Sequence, residues 1–214
     1  KIITFLINQF QQIIKLDNIK LKIINNYLTI PYSKNFILSA MNLAFLAYFG
    51  AKRFEIHNNF YVWPDGLFFK KIFKDNRMIK VPGRKMLKEM IPPKHIKYIH
   101  LVGNCDKKGI NYIKKKFRSQ KIFHTKLPYA SVENLFNYIP KLKKNEITIL
   151  LLPSPKQEQI ANLLRKNNKN YKIMCLGGAL NMLSGIEKPA PYYVEKVNLE
   201  FLWRLQFDTS RRAV

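Results

Sequence analysis

Short apolar runs alternate with amphipathic stretches along most of the chain, and this alternation is typical of an α/β protein. The clearest run, residues 147–152, is apolar except at Thr148, as expected of a strand that is covered on both faces. The predicted strands are residues 36–39, 53–56, 60–63, 96–102, 121–123, 147–152 and 171–176. The predicted helices are residues 42–49, 107–117, 132–139 and 158–166.

From residue 96 onward, strands and helices follow each other in turn. This order predicts a parallel sheet with right-handed crossovers and with helices on both faces. In such a sheet, ligands bind at the carboxyl ends of the strands. Three loops should therefore meet at one edge of the sheet, namely the loops that contain Gly103, residues 153–155 and the Gly177-Gly178 pair.

The two ends of the chain have patterns of their own. Residues 1–30 carry Ile, Leu and Phe at mixed helical spacing, which indicates an amphipathic start or a leading helix packed on the domain. Residues 190–214 are rich in aromatic side chains and include Arg211-Arg212 near their end. This segment is either a last helix docked on the core or an aromatic and basic tail that meets a membrane surface or phosphate. We therefore divide the chain into a main domain, residues 1–189, and a membrane-proximal tail, residues 190–214.

The net charge changes the list of expected partners. The chain has 214 residues with 38 Lys and Arg against 13 Asp and Glu, which gives a formal charge of +25. Such a charge attracts polyanions, whether nucleic acid, an acidic membrane or phosphorylated substrates. The lysines are scattered along the chain, however, so a generally basic, solvated surface explains them as well as a functional basic face does.

The cysteines, the histidines and the lengths of the apolar runs exclude several classes of protein. Cys105 and Cys175 are 70 residues apart and the four histidines form no paired motif, so we expect neither a disulfide nor a metal site. Lone thiols fit a reducing cytoplasm. The longest apolar stretch, residues 36–49, has 14 residues, whereas a membrane span needs roughly twenty. We therefore expect no segment of this sequence to span a bilayer.

Three short polar segments follow predicted strands and are candidates for chemistry. Asp65, one of five aspartates, lies in the Pro-Asp-Gly turn after residues 60–63, where a carboxylate would project over the edge of the sheet. Residues 153–158 start a helix, with Ser154 as its cap, and Lys156 and Gln157 stand where a helix N-terminus favours an anionic ligand. The Gly177-Gly178 pair lets the backbone approach a ligand closely. Each signal alone is also common as plain structure.

Together and in this order, these segments resemble the WecG/TagA/CpsF glycosyltransferases. That family has a Pro-Asp-Gly element, a Pro-Lys-Gln-Glu element, a Gly-Gly-Ala-Phe-Asp loop, an Ala-Pro pair and a Leu-Glu-Trp-x-x-Arg-Leu stretch with trailing arginines. This sequence has the corresponding segments at residues 64–66, 155–158, 177–181, 190–191 and 199–205, followed by Arg211. The resemblance covers about residues 35–212.

The resemblance implies a Rossmann-like enzyme that moves a sugar, with inversion, from a UDP-sugar to a saccharide on an undecaprenyl diphosphate carrier. It implies Asp65 as the general base. The positions that it assigns to substrate binding are Asn42, Lys80, Gln157, Gly177, Gly178, Arg204 and Arg211. It implies no metal and no cofactor besides the UDP-sugar substrate. The protein would act in the cytoplasm, peripherally on the inner face of the bacterial plasma membrane, with its anionic surface as a partner.

These residue types suit the chemistry. Inverting transfer needs a carboxylate to take the proton of the acceptor hydroxyl, and cations or amides for the charge that develops on the leaving diphosphate. The sequence departs from the family pattern in several places, and these departures put the choice of donor sugar in doubt. They are Ala40 for threonine beside Ser39, Lys80 for arginine, Lys85 for aspartate, Pro153 for glycine and Asn181 for aspartate.

Two other functions stay open at this stage. A basic nucleic-acid-binding protein is suggested by the charge alone, but the aromatic residues lie mainly in apolar runs rather than among the lysines, so nucleic acid is not the expected partner. A family member that has lost catalysis and only binds the carrier lipid is the other, because Ala40 and Asn181 replace polar or acidic residues of the family.

Overall fold

The computed structural model describes residues 6–8, 13–16, 19–24, 26–50, 57–65, 81–186, 190–191 and 193–194. The strands are β1 (Leu6–Asn8), β2 (Ile13–Leu16), β3 (Ile19–Ile23), β4 (Phe36–Met41), β5 (Phe60–Pro64), β6 (Tyr98–Gly103), β7 (Lys121–Thr125), β8 (Glu146–Leu151) and β9 (Lys172–Cys175). The helices are α1 (Leu43–Gly50), α2 (Gly83–Glu89), α3 (Lys107–Lys116), α4 (Val132–Phe136), α5 (Lys156–Asn167) and α6 (Ala179–Leu183), with a 3₁₀ turn at Tyr27–Thr29.

The strands form one sheet with the order β1-β2-β3-β5-β4-β9-β8-β6-β7. Seven of them, from β3 to β7 in this order, are parallel to their neighbours, and β1 and β2 are added antiparallel at one edge. Since parallel strands need crossovers, the helices lie between them in sequence and cover the sheet. The predicted α/β, Rossmann-like parallel sheet is confirmed.

Helices cover both faces of the sheet, as predicted. On one face, α1, α4 and α5 pack on strand residues such as Ile37, Leu150 and Ile173. On the opposite face, α2, α3 and α6 pack on residues such as Leu38 and Ile149. The central strands are therefore buried on both sides, which explains why they are recognisable in the sequence as continuous apolar runs.

The prediction for the N-terminal segment is wrong. Instead of a helix, the described residues of this segment form β1, β2 and β3. Residues 19–23 alternate isoleucine or leucine with lysine, a period of two that favours a strand. The register pairs Leu16 with Ile19 across the β2–β3 ladder.

The other predicted elements in the described ranges are found, with shifted ends. The strand β4 is longer than predicted, and α4 ends at Phe136 rather than at residue 139. Two short helices, α2 and α6, were not predicted. The predicted strand 53–56 and most of the tail, residues 195–214, lie outside the described residues, so the helical tail and the division at residue 190 stay predictions. None of the described helices is long and apolar enough to cross a bilayer.

Gly103 ends β6 at a point where the backbone of β8 leaves no room for a side chain. Its φ is +126°, and a Cβ atom there would lie 2.9 Å from the Leu151 carbonyl oxygen. We expect Gly103→Ala to lower the free energy of unfolding by about 1–3 kcal/mol, measured by chemical denaturation. Gly185→Ala is the matched control, because Gly185 also has a positive φ, +76°, but a Cβ atom there would meet nothing within 4 Å. Equal losses for the two variants would show that the close contact with Leu151 costs nothing.

Candidate active site

A cleft opens at the carboxyl ends of β5, β4, β9 and β8. The chain that leaves β4 forms α1 on one face of the sheet, whereas the chain that leaves the neighbouring strand β9 forms α6 on the other face. Such a divergence between adjacent parallel strands is where open α/β sheets bind their ligands. The cleft has a volume of about 220 Å³.

The structure brings together most of the residues that were selected from the sequence. The described residues Asn42, Asp65, Gln157, Gly177 and Gly178 all line this cleft. Gly103 lies at the same edge of the sheet but does not line the cleft. The predicted residues Lys80, Arg204 and Arg211 lie outside the described residues.

Asp65 directly follows β5 and holds its carboxylate at the rim of the cleft. The preceding residues are fixed, because Trp63 is fully buried and Pro64 is in register with Met41 of β4. Asp65 itself is half-buried and lines the cleft. It therefore lies at the edge of the sheet that the Pro-Asp-Gly motif predicted, while Gly66 lies outside the described residues.

Asn42 lines the cleft and also starts α1. Its Oδ1 accepts a hydrogen bond from the Phe45 backbone N–H at 2.9 Å, which is the bond of a helix N-cap. The oxygen is therefore engaged with the protein, and the Nδ2 group is the end that can donate to a ligand. Ala40 lines the cleft two residues before it, at the position where the family usually has threonine.

A buried hydrogen-bond network, which we call the Glu158 network, lies beneath the cleft. The Oε1 atom of Glu158 accepts bonds from the Ser39 hydroxyl at 2.6 Å, the Ser154 hydroxyl at 2.9 Å and the Gln157 side-chain amide at 2.9 Å. The Gln157 Oε1 atom in turn accepts from the Gly177 N–H at 3.0 Å. The network therefore ties the ends of β4, β8 and β9 together.

One expectation for this region is corrected by the network. Ser154 does not cap α5, since its hydroxyl donates to the Glu158 carboxylate and the residue at the N-cap position is Pro155. The Ser39 side chain lies on the α5 face of the sheet and also donates to Glu158, so it does not line the cleft beside Ala40. Both serines therefore share one buried acid as their partner.

Glu158 is almost completely enclosed. Its side chain is 1% exposed, and within the described residues its Oε2 atom has no hydrogen-bond partner. Burial raises the pKa of this carboxyl above its ordinary value, although the bonds from Ser39, Ser154 and Gln157 act in the opposite direction. The Cys175 thiol is also buried, and this burial, together with the nearby charge of Glu158, raises the pKa of the thiol.

The raised pKa of Glu158 predicts how the stability depends on pH. A raised folded-state pKa means that the contribution of this group is fully present below its unfolded pKa, about 4.3, and is lost as the pH rises through the folded value. Relative to Glu158→Gln, which does not titrate, the wild-type protein should therefore lose unfolding free energy between about pH 4 and the folded pKa. Denaturation curves of both proteins at several pH values measure this difference, and parallel pH dependences would contradict it.

Sequence analysis missed a cation in the cleft. Arg84, in the first turn of α2, lines the cleft, whereas the sequence analysis had selected Lys80 from this segment. At the neighbouring Gly83, α2 lies close to α6, and a Cβ atom there would be in van der Waals contact with the Ala179 Cβ at 3.4 Å. The Pro82-Gly83 pair was the available signal, because glycine is common where the backbone approaches a ligand closely.

The cleft combines a carboxylate and a cation. Among the described residues that line it, Asp65 and Arg84 are the charged ones. Within the same part of the chain, no group of three His, Cys, Asp or Glu side chains is arranged to hold a metal ion. The described cleft thus offers a carboxylate for proton transfer and a guanidinium for an anionic group.

Almost the whole chain matches a known protein family. Residues 15–213 match the model of the glycosyl transferase WecG/TagA/CpsF family. The chain belongs to this family.

A curated relative of the chain is the N-acetylglucosaminyldiphosphoundecaprenol N-acetyl-β-D-mannosaminyltransferase of Staphylococcus aureus (strain MRSA252). It is 23% identical to this chain over 144 residues, which cover 62% of this chain and 54% of the relative. The chain therefore spans about half the length of the relative that it matches.

Proposed function

We propose that the protein is an inverting glycosyltransferase that moves a sugar from a UDP-sugar to a lipid-diphosphate-linked saccharide in the synthesis of a bacterial cell-surface polysaccharide. The observation that carries the proposal is the meeting of Asp65 and Arg84 in one cleft at the switch point of the sheet. Family membership supports the reaction class, and the name of the staphylococcal relative supports the lipid-linked acceptor.

The reaction assigns one role to each charged side chain of the cleft. The Asp65 carboxylate takes the proton of the acceptor hydroxyl while the hydroxyl oxygen attacks the anomeric carbon of the donor sugar. The bond between that carbon and the UDP oxygen breaks, and UDP leaves with the electron pair. Arg84 faces the negative charge that builds on the leaving diphosphate, for which a planar guanidinium has a suitable geometry. Attack from the side opposite UDP inverts the anomeric centre.

The donor sugar is the finer part of the proposal. The relative transfers N-acetylmannosamine to an N-acetylglucosaminyl carrier lipid, so we take UDP-N-acetylmannosamine as the first donor to test, with mannosaminuronate- and glucose-type donors next. Ala40, at the cleft edge where the family usually has threonine, removes a hydroxyl that would contact a ligand. Since hydrogen-bonding groups of the pocket set sugar discrimination, a donor different from that of the relative is consistent with this change.

Calorimetric titration of the protein with UDP, UDP-N-acetylmannosamine and uridine tests the donor half of the proposal. Both diphosphate ligands should bind with a Kd between about 1 μM and 1 mM, the range in which enzymes commonly hold their substrates. Uridine, which lacks the diphosphate, should bind at least about tenfold more weakly because it forms no charge-assisted bonds. Failure of both UDP ligands to bind would contradict the proposal.

The net charge predicts that the protein binds membranes peripherally through exposed cations. With a formal charge of +25, it should sediment with vesicles that contain anionic phospholipid, as expected of an enzyme whose acceptor is lipid-linked. Raising the salt concentration should release it, because exposed charges are screened beyond about 8 Å at physiological ionic strength. Vesicles of neutral phospholipid are the control. Equal, salt-independent binding to both kinds of vesicle would contradict an electrostatic attachment.

A further inference from the structure

We infer that Gln157 meets its ligand only as a hydrogen-bond acceptor, and that Glu158 is the positioning residue that holds the Gln157 amide in this orientation. The inference rests on the proposed function for its ligand, a nucleotide sugar, but its geometric part stands on the Glu158 network alone. It assigns to Gln157 a ligand group that carries a proton, which is a sugar hydroxyl, an acetamido N–H or the N–H of the base.

The neighbours of Gln157 fix which end of its amide is oxygen and which is nitrogen. The Gly177 backbone N–H can only donate, and it lies 3.0 Å from the atom assigned as Oε1. The Glu158 Oε1 atom, which also accepts from both serines, lies 2.9 Å from the atom assigned as Nε2. The reversed amide would place an N–H group against an N–H group and a carbonyl oxygen against a carboxyl oxygen. Only the assigned orientation satisfies both neighbours.

The hydrogen-bonding capacity of the amide nitrogen is used up within the protein. The Nε2 group has two protons, and it donates to Glu158 at 2.9 Å and to the Ser154 hydroxyl oxygen at 3.0 Å. The single hydroxyl proton of Ser154 is committed to Glu158, so the Ser154 oxygen accepts from Gln157 without competition. The amide has no donor left for a substrate.

The Gln157 amide oxygen can accept one more hydrogen bond. An amide oxygen has two lone pairs, and the Gly177 N–H takes one of them. Gln157 is 2% exposed, and it nevertheless lines the cleft, so its remaining contact with a ligand is short and directional. A phosphate oxygen would be repelled there, whereas a hydroxyl or an N–H group would be bound. The anionic ligand that the sequence suggested near Gln157 therefore does not sit on this side chain.

Glu158 maintains this arrangement because its buried Oε1 atom accepts hydrogen bonds from three donors, Ser39, Ser154 and Gln157. Without an acceptor at this point, the Gln157 amide nitrogen loses one of its two bonds, and the other is to Ser154, whose own hydroxyl would then be free to rotate. The Gly177 N–H would remain as the single neighbour that orients the amide. Glu158 does not line the cleft, so it acts on the ligand only through Gln157.

A matched pair of variants separates the loss of the hydrogen-bond acceptor at residue 158 from a change in side-chain size. Glu158→Gln keeps a carbonyl oxygen that can accept from the Gln157 amide and from one of the two serines, whereas Glu158→Met has a similar size and no such acceptor. Glu146→Met is the control for removal of a buried acid. Glu146 is 4% exposed, accepts from Thr148 at 3.0 Å and lies 3.2 Å from His100, and it starts β8, at the end of the strand opposite the cleft.

The first measurement needs no ligand. In protein labelled with ¹⁵N-glutamine, the side-chain amide protons of Gln157, assigned by their absence in Gln157→Ala, should exchange with solvent at least about 100-fold more slowly than those of an exposed glutamine. The protection should persist in Glu158→Gln and Glu146→Met and should fall in Glu158→Met. Equal exchange rates in Glu158→Met and the wild-type protein would overturn the positioning role.

The second measurement identifies the ligand group. Kd values for UDP and UDP-N-acetylmannosamine should be unchanged in Glu158→Gln and Glu146→Met. In Glu158→Met, loss of one hydrogen bond should weaken binding by roughly tenfold. A loss confined to the UDP-sugar assigns Gln157 to the sugar, and an equal loss for both ligands assigns it to the base. Unchanged affinities for both would overturn the inference. If the wild-type protein binds neither ligand, the proposed function fails, and the exchange rates still decide whether Glu158 positions the amide.

Discussion

Asp65→Asn should reduce the rate of sugar transfer by roughly 10²–10⁴-fold while the protein stays folded and keeps its affinity for UDP. The reason is that an amide of the same shape fills the same place at the end of β5 but cannot take the proton of the acceptor hydroxyl. Turnover of lipid acceptor under saturating donor measures the effect, and calorimetry with UDP shows that the cleft is intact.

Asp106→Asn is the matched control for this substitution. Asp106 also follows a parallel strand, but its carboxylate caps α3 by accepting from the Gly109 N–H at 2.8 Å, and asparagine caps helices equally well. Transfer by Asp106→Asn should therefore equal that of the wild-type protein. If Asp65→Asn also transfers sugar at the wild-type rate, then Asp65 is not the base.

Arg84→Ala should reduce turnover by about 10²–10³-fold, the size of effect seen when one group that stabilises developing charge is removed. Unlike Asp65→Asn, it should also weaken UDP binding, because the diphosphate is present in the product as well as in the transition state. Arg84→Lys should recover only part of the activity, since an ammonium group keeps the charge but lacks the planar fork.

The control for Arg84 is an arginine that does not line the cleft. Arg118 is exposed just after α3, and Arg118→Ala removes the same charge from the protein without touching the cleft. Equal activities of Arg84→Ala and Arg118→Ala would mean that only net charge matters and that Arg84 has no place in the transfer.

The central strands could be predicted from the sequence because burial on both faces leaves a continuous apolar run. Residues 147–152 are the plainest case, and β8 lies at Glu146–Leu151. The helices α2 and α6 could not be predicted in the same way. Each is short and follows Pro82 or Gly178, and neither has a side-chain cap that the sequence could show. Their positions depend on packing against each other, which only the folded chain provides.

The candidate site was predictable where a residue sits in a short motif at a strand end. Asp65, Asn42 and Gln157 are of this kind, and the structure places all three on one cleft. The Glu158 network was not predictable, because Ser39 and Glu158 are 119 residues apart. The sequence around each residue contains no motif that indicates a contact with the other. A glutamate in the first turn of a helix is ordinarily a solvated partner of the helix dipole, and here tertiary packing buries it instead.

The central claim is transfer of a sugar from UDP to a lipid-linked saccharide, and mass spectrometry of the reaction product tests it most directly. The protein would be incubated with N-acetylglucosaminyl diphosphate on a short polyprenyl chain and with UDP-N-acetylmannosamine, UDP-N-acetylmannosaminuronate or UDP-glucose in turn. One of these donors should give an acceptor heavier by one sugar residue, together with free UDP, and Asp65→Asn should give almost none. No extended acceptor with any donor, or equal product from Asp65→Asn, would contradict the account.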